Sequence, residues 1–257
     1  MSRAEGLRVV QEQTRRERQR EATIDEIVRT SRQLLAEGSE LSLRAVAASM
    51  GMTAPALYRY VANYQELVDL VAFEIDRAAT ATFEAAANTQ PVDDPGARLV
   101  CASVAFRQWA LANKREFSLV FANPVADPSC IRRDLLTAAS SGQLFTDLLH
   151  DLWVQTGYRI PTLDELPAPV AEAVRDPLIP ADLDKVAPED RGLIWVYMQG
   201  WTMLYGVVTL EVFGHMDPRI IESGEMFVDT VRRYAAGLGM ADDWGRLEPI
   251  MRAALAA

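Results

Sequence analysis

The sequence predicts an all-α protein in which a small N-terminal head is joined by a fourth helix to a larger helical body. Three observations support this fold class. Alanine is abundant, apolar residues recur at helical spacing along most of the chain, and segments typical of strands are scarce. With 257 residues, of which 49% are hydrophobic and 24% charged, the chain has enough apolar mass for a substantial core.

The first helix of the head is predicted from an apolar stripe that starts near residue 20 and ends at Gly38, a typical C-terminal cap. The stripe consists of Ile24, Ile27, Val28, Ser31, Leu34 and Leu35. Residues 1–19 lack this periodicity. They are predicted to form a basic N-terminal arm, which is either mobile or a frayed extension of the first helix.

Two short helices are predicted to follow. Ser42 is a suitable N-cap for a helix that runs to about Met50, where Gly51 breaks it. Thr53 can cap a third helix, and Pro55 is tolerated within its first turn.

A longer fourth helix is predicted to begin after Asn63, which caps it. Its inner face would carry Leu67, Val71, Ile75 and Ala78. We therefore place the head at residues 20–66 and the body at residues 67–257.

Long helical patterns separated by loops predict the architecture of the body. Thr89–Gly96 contains two prolines, two aspartates and a glycine, and is predicted to connect the two bodies of the protein. Gly157–Pro188 contains six prolines and is predicted to be a loop with one helical insert near residues 167–175. The remaining helices are expected at about 96–113, 115–122, 129–156, 188–214, 218–238 and 242–256.

Charge is distributed unevenly along the chain. The formal net charge is −10, which taken alone argues against binding to nucleic acid. Residues 1–64 carry ten arginines against eight acidic residues, whereas the remainder carries 16 basic and 28 acidic residues. This distribution favours a mildly basic, DNA-facing head on an acidic body.

Two further features of the sequence predict where in the cell the protein is found. Cys101 and Cys130 form no disulfide framework, and the N-terminus has no secretory signal, so a cytoplasmic protein is expected. Gly192–Leu210 contains no charged residue and reaches the length of a membrane span. Its polar side chains and two internal glycines favour a buried core or dimer helix instead, so no membrane contact is expected.

The segment Leu41–Leu67 has the sequence LSLRAVAASMGMTAPALYRYVANYQEL. Ala47 leaves room for two short helices to cross, and Gly51 supplies the left-handed conformation of the turn between them. The residues spaced to close these helices on each other are Val46, Ala47, Met50, Met52, Leu57 and Tyr60. This is the helix-turn-helix pattern, whose second helix enters the major groove of DNA.

This stretch resembles the DNA-binding domain of the tetracycline-repressor (TetR) family. The matching features are the capped helix LSLRAVA, the turn and recognition helix GMTAPALYRYV, and NYQEL at the start of the fourth helix. The resemblance covers about residues 20–70. The sequence GWTMLYGVVTLEVFGHM, residues 200–216, resembles a ligand-domain helix of one TetR subgroup in which a Trp, a His and a Gly recur, with Tyr205 at the position of that histidine.

The resemblance implies which residues of the head contact DNA. Arg44 corresponds to the family arginine that reaches a base edge, where arginine can bind guanine through two hydrogen bonds. Tyr58 corresponds to the tyrosine that donates to phosphate, and many members have a phosphate-binding lysine at the position of Tyr64. The other expected contacts are a phosphate contact by Thr53, thymine-methyl contacts by Ala54 and Ala56, and contacts by Pro55 and Arg59.

Because Tyr64 brings no charge, the N-terminal arm is expected to compensate by reaching an adjacent minor groove. The arginines expected to do so are Arg15, Arg16, Arg18 and Arg20. The interleaved acids Glu12, Glu17 and Glu21 make the alternative equally favoured, namely that these arginines belong to a disordered solvated tail or to half a helix of Glu–Arg pairs without a DNA contact.

The resemblance also implies that the body forms a homodimer through its last two long helices, about 188–214 and 218–238. Two recognition helices would then meet a palindromic operator in double-stranded DNA. The expected interface residues are Trp201, Leu204, Val208, Met226 and Val231, and burial of each within one subunit is the alternative.

A small apolar or aromatic ligand is expected inside the body, because aromatic side chains are predicted on the helices that would surround it. The candidate ligand-binding residues are Trp109, Phe117, Phe121, Trp153, Tyr197, Met198 and His150. Plain core packing is the alternative for each of them.

No motif predicts an enzyme, a metal site or a cofactor. The two histidines, His150 and His215, and the two cysteines are widely separated, and the sequence lacks a nucleophile elbow, a phosphate loop and a dinucleotide fingerprint. The expected function is a dimeric repressor that a ligand releases from its operator. The alternatives are a helix-turn-helix activator and a helical interaction protein that senses a protein partner.

Overall fold

The computed structural model describes residues 14–122 and 140–257, and all regular structure in these ranges is helical, which confirms the all-α fold. Three short 3-10 turns, at Leu163–Glu165, Leu183–Lys185 and Pro188–Asp190, accompany the α-helices. The α-helices are α1 (Arg15–Glu37), α2 (Leu43–Ser49), α3 (Ala54–Leu57), α4 (Tyr64–Ala87), α5 (Pro95–Ala112), α6 (Lys114–Phe121), α7 (Ser140–Thr156), α8 (Ala168–Ala173), α9 (Gly192–Val212), α10 (Pro218–Ser223), α11 (Glu225–Gly237) and α12 (Trp244–Leu255).

The chain divides into two compact units, with the boundary between Val71 and Ala72, inside α4. We call the first unit the head and the second the body. Thr89–Gly96 lies within the body, so the prediction that it connects two bodies is wrong. It joins α4 to α5, and its Asp93 carbonyl accepts a hydrogen bond from Gln155 of α7.

The helix α1 begins earlier than the sequence pattern predicts. Thr14 and Glu17 form a capping box, in which Thr14 N donates to Glu17 Oε2 at 2.7 Å and Glu17 N donates to Thr14 Oγ1 at 3.3 Å. These bonds satisfy backbone donors that would otherwise fray the first turn. Residues 14–19 of the predicted arm therefore belong to a capped helix, and residues 1–13 of that arm lie outside the described residues.

Four of the other predicted caps and breaks of the head are confirmed, whereas Thr53 precedes α3 without a side-chain capping bond, so that predicted cap is wrong. Gly38 ends α1 with φ 82°, and Ser42 Oγ accepts from Ala45 N at the start of α2. Gly51 has φ 66°, in the left-handed region that favours glycine. Asn63 Oδ1 accepts from Glu66 N at 2.9 Å and caps α4.

The buried stripe of α4 differs from the prediction in its last member. Leu67, Val71 and Ile75 are fully buried as predicted, but Ala78 is exposed. The stripe continues at a constant spacing of four residues through Ala79, Phe83 and Ala87. Residues four apart share one face of a helix, so position 79 rather than 78 extends the row.

The core of the body surrounds α5, which packs against α7, α9 and α12. Most of its side chains between Pro95 and Ala110 are buried, so it is apolar on nearly every face. The predicted helix at 129–156 is seen as α7 from Ser140, and residues 129–139 lie outside the described residues.

The predicted helix at 218–238 is two helices, α10 and α11. Gly224 ends α10 with φ 68°, a conformation that cannot continue a right-handed helix. Arg107 lies beside this turn, since its Nη1 is 3.7 Å from the position of a Cβ on Gly224.

The segment from Gly157 to Arg191, which we call the strap, contains α8 and the three 3-10 turns, and α8 confirms the predicted insert. The strap lies so close to two helices that glycine is required on each. A Cβ on Gly142 of α7 would lie 2.1 Å from Pro180 Cγ. A Cβ on Gly192 of α9 would lie 1.7 Å from the Pro161 carbonyl oxygen.

We expect Gly192→Ala to lower the free energy of unfolding by about 1–3 kcal/mol, because the added methyl group displaces backbone of the strap. Urea unfolding at fixed protein concentration measures the effect. Gly245→Ala is the matched control, since Gly245 also lies in the first turn of a helix and has nothing within 4 Å of its Cβ position. An equal midpoint for the two variants would contradict the close approach of the strap.

The segment Pro188–Val212 is long and apolar enough to cross a membrane by composition alone. A long helix in a soluble protein meets the same criterion, so this single segment is weak evidence for a membrane span. About a third of the residues in its most apolar stretch are buried, most of the others are partly buried, and Met198, Thr202 and Leu210 of α9 are exposed.

Candidate DNA-binding head and regulatory body

The helix-turn-helix consists of α2, the turn at Gly51 and α3. Val46 and Leu57 are fully buried and Ala47 is 2% exposed, so the two helices meet closely at small and apolar residues. Met52 N donates to Ala47 O at 2.8 Å and closes the turn. The predicted core of this motif is therefore present, with Met50, Met52 and Tyr60 half-buried at its edge.

The residues expected to contact DNA are mostly exposed. Tyr58 and Tyr64 have exposed fractions of 51% and 50%, so both phenol groups are accessible from solvent. Thr53 precedes α3 without capping it through its side chain. Arg44, Thr53, Pro55 and Arg59 are exposed, whereas Ala54 and Ala56 are half-buried.

The four arginines at the start of α1 are all exposed. Arg20 contacts the segment formed by α3 and the turns that follow it to Tyr60, which we call the recognition segment. Arg20 Nη1 donates to Arg59 O at 3.1 Å, and its guanidinium carbon lies 5.7 Å from the centre of the Tyr60 ring. The sequence pattern gave no sign of this contact, because it joins residues 39 positions apart.

A cluster of eight aromatic rings lies in the body, with neighbouring ring centres 5.3–6.5 Å apart, and a ninth ring, that of the exposed Phe213, borders it with its centre 6.4 Å from that of Phe117. We call it the aromatic cluster: Phe83, Phe106, Trp109, Phe117, Phe121, Phe145, Trp201 and Tyr205. Phe83, Phe106 and Phe117 are fully buried. Trp109, Phe121, Trp201 and Tyr205 are only partly buried and form its accessible side.

The structure separates the predicted ligand-binding residues into two groups. Trp109, Phe117 and Phe121 belong to the aromatic cluster. Trp153 contacts His150 instead, and Met198 is 38% exposed. Tyr197 is buried with no hydrogen-bond partner for its hydroxyl, and burial raises its pKa.

The sequence analysis did not predict a ligand-binding role for the other five members of the aromatic cluster, and it placed one of them, Trp201, at the dimer interface. The five are Phe83, Phe106, Phe145, Trp201 and Tyr205. Tyr205 stacks on Trp201 and Phe117, and its hydroxyl donates to Phe121 O at 3.1 Å. Helical spacing in the sequence could have indicated part of the aromatic cluster, since Trp201 and Tyr205 are four residues apart and share one helix face.

A buried carboxylate links α4 to the start of α7. Asp76 accepts hydrogen bonds from the Ser141 hydroxyl and from Ser141 N, the latter at 3.2 Å. Burial raises the pKa of Asp76 even though the Ser141 bonds favour its charged form. Asp76 thus joins α4 to the backbone and the side chain of Ser141 in α7.

A buried ion pair joins α5 to α9. Arg107 Nε donates to Glu211 Oε2 at 2.5 Å, and Arg107 Nη2 donates to Ile221 O at 2.6 Å. The guanidinium also lies over the ring of Phe227, 5.4 Å from its centre. Burial raises the pKa of Glu211 although the arginine favours its charged form, and Glu211 Oε1 has no hydrogen-bond partner.

An uncharged outer face runs along α9 and consists of Met198, Thr202, Gly206, Leu210 and, just after the helix, Phe213. Leu210 and Phe213 have exposed fractions of 44% and 43%. We call this surface the α9 face.

The predicted interface residues differ in their exposure. Met226 of α11 is 41% exposed. Trp201, Leu204 and Val231 are partly buried against the core. Val208 is fully buried in its own chain and has no surface left for a partner, so it is not an interface residue.

Comparisons with known proteins agree with this architecture. Residues 99–234 match the family described as "Tetracyclin repressor-like, C-terminal domain". The chain is 30% identical over 204 residues to the HTH-type transcriptional regulators Rv1816 of Mycobacterium tuberculosis (strain ATCC 25618 / H37Rv) and Mb1846 of Mycobacterium bovis (strain ATCC BAA-935 / AF2122/97). Each match covers 76% of this chain and 81% of the relative.

A solved structure gives independent support for the fold. The crystal structure of SCO4313 superposes with a TM-score of 0.54 and 24% identity, and the match covers 88% of this chain and 97% of that chain. The helix-turn-helix head and these matches define a DNA-binding regulator of transcription. The chain belongs to the tetracycline-repressor (TetR) family.

Proposed function

We propose that the protein is a homodimeric repressor that leaves a palindromic operator when a small apolar or aromatic ligand binds its body. The observation that carries the proposal is the exposed surface of the helix-turn-helix. Arg44, Tyr58 and Tyr64 present a guanidinium and two phenol groups to solvent, and these groups suit base edges and phosphates.

The α9 face supports the dimer. An uncharged outer face along a long helix, with exposed Met198, Leu210 and Phe213 side chains, is typical of a surface that a second copy covers. A two-fold dimer would present two recognition helices to successive major grooves, about 34 Å apart.

The aromatic cluster supports the ligand. Its partly buried rings, Trp109, Phe121, Trp201 and Tyr205, offer flat apolar surfaces that would favour an aromatic compound. Binding there would release DNA if the ligand prefers a conformation in which the two heads no longer fit the operator.

We expect Arg44→Ala to weaken binding to the operator by about 1–3 kcal/mol, because the lost hydrogen bonds contact a base edge. Fluorescence anisotropy with DNA from upstream of the gene measures the effect against random DNA of equal length. Arg159→Ala is the matched control, since it removes the same charge from an exposed arginine of the strap.

An equal loss of operator affinity in Arg44→Ala and Arg159→Ala would show that Arg44 acts only through net charge and would contradict its role in recognition.

Titration of the protein–DNA complex with apolar aromatic compounds then tests the proposed ligand. Release of DNA by one of them, with matching thermal stabilisation of the free protein, supports the repressor. Binding of such a compound without release contradicts the proposed mechanism.

A further inference from the structure

We propose that Arg20 is a positioning residue for DNA recognition, which fixes the end of the recognition segment rather than contacting phosphate. The inference rests on the proposed function of the head. Two contacts carry it, namely the hydrogen bond from Arg20 Nη1 to Arg59 O and the position of the guanidinium beside the Tyr60 ring. Together they join the first helix of the head to the residues that directly follow α3.

The recognition segment needs such support because α3 has only four residues. Beyond Leu57 it continues as tight turns, in which Tyr60 N donates to Leu57 O at 2.9 Å and Arg59 N to Ala56 O at 3.4 Å. So short a helix is not stable by itself. The segment nevertheless carries Tyr58 and Arg59, whose direction decides whether they reach DNA.

A guanidinium is well suited to this position. Carbonyl groups at the C-terminal end of a helical segment lack intrahelical partners, and a cation there is favourable. Stacking of a planar cation on Tyr60 adds a second attraction. Lysine lacks the planar fork, so it cannot make both contacts in the same geometry.

This role predicts a behaviour different from that of a phosphate contact. Neutralising one phosphate contributes about 0.9 to the slope of log affinity against log salt concentration. A residue that only positions others leaves this slope unchanged and weakens binding equally at every salt concentration. A lysine substitution keeps a phosphate contact but does not restore a stacked guanidinium.

The experiment compares wild type, Arg20→Ala, Arg20→Lys and Arg29→Ala by anisotropy on the operator at several salt concentrations. Arg29 is the control because it is an exposed arginine of the same helix, carries the same charge and is not among the residues expected to contact DNA, so Arg29→Ala should bind almost as tightly as wild type. We expect Arg20→Ala and Arg20→Lys each to weaken binding about tenfold without a change of slope. A slope reduced by about 0.9 in Arg20→Ala, with recovery in Arg20→Lys, would overturn the proposal.

Amide hydrogen exchange separates this proposal from the proposed function. Arg20→Ala should speed exchange at Tyr60 and Val61, whose amides both donate to Leu57 O, while α4 stays protected. Unchanged exchange at these two amides would overturn the positioning role, even if wild type binds DNA. If wild type binds no operator but Arg20→Ala still accelerates exchange at Tyr60 and Val61, the proposed DNA-binding function is wrong, whereas the stabilisation of the recognition segment by Arg20 is supported.

Discussion

Replacing Arg107 by methionine is expected to lower the free energy of unfolding by about 3–5 kcal/mol at pH 7, because it leaves the Glu211 carboxylate buried without its partner. The side chain of Glu211 is completely buried, and that of Arg107 is 8% exposed. The substitution also removes the bond to Ile221 O and the contact with Phe227, which hold α10 and α11 near α5. Urea unfolding at fixed protein concentration measures the change.

The double variant Arg107→Met/Glu211→Leu is the control, since it removes both charges and keeps the side chains large. It should recover most of the lost stability, because two apolar side chains need no partner. A single variant that loses less than about 1 kcal/mol, or a double variant that loses the sum of both singles, would contradict the account of this pair.

The same pair predicts a pH dependence with a definite sign. Since burial raises the pKa of Glu211 above its ordinary value of 4.5, the folded state holds this proton more tightly than the unfolded state. The tighter binding of this proton by Glu211 therefore contributes stability that is fully present below pH 4.5 and is lost as the pH rises through the raised pKa of Glu211. The deficit of Arg107→Met should accordingly shrink at acidic pH, where the carboxyl is neutral.

If the proposed dimer forms through the α9 face, replacing Leu210 by glutamate is expected to convert it into a monomer at micromolar concentration. Leu210 is 44% exposed on the α9 face, and in a two-fold dimer both new carboxylates would be buried at the same interface. We expect the dissociation constant of the dimer to rise by at least about 100-fold, which corresponds to about 3 kcal/mol. Sedimentation equilibrium measures it.

Val154→Glu is the matched control for this variant. Val154 is 67% exposed on α7, so the same charge is added to an exposed apolar position outside the α9 face. It should leave the proposed dimer intact. If both variants remain dimers with unchanged helical content, the dimer forms through a surface other than the α9 face, and the proposed interface is wrong.

The head could be predicted in detail because its signals are local. Gly38, Ser42, Gly51 and Asn63 act within four residues of their partners, so the sequence alone places the ends of α1, α2 and α4. The capping box at Thr14 is equally local, but it was overlooked because the residues after it lack an apolar stripe.

The features of the body that matter most depend on distant residues. Arg107 and Glu211 are 104 positions apart, and Asp76 and Ser141 are 65 apart, so no periodicity predicts either contact. The break at Gly224 was missed because the apolar pattern on both sides continues at helical spacing. Trp201 illustrates the same difficulty. An amphipathic pattern shows that a residue faces apolar surroundings, but it does not show whether these belong to the same chain or to a partner.

The central claim is that two heads of one dimer bind one palindromic operator. The most direct measurement compares the stoichiometry and affinity of wild type on a full palindrome and on an isolated half-site, by analytical ultracentrifugation with labelled DNA. The account predicts two chains per palindrome and far weaker binding to the half-site. A monomer that binds the half-site as tightly as the palindrome would contradict it.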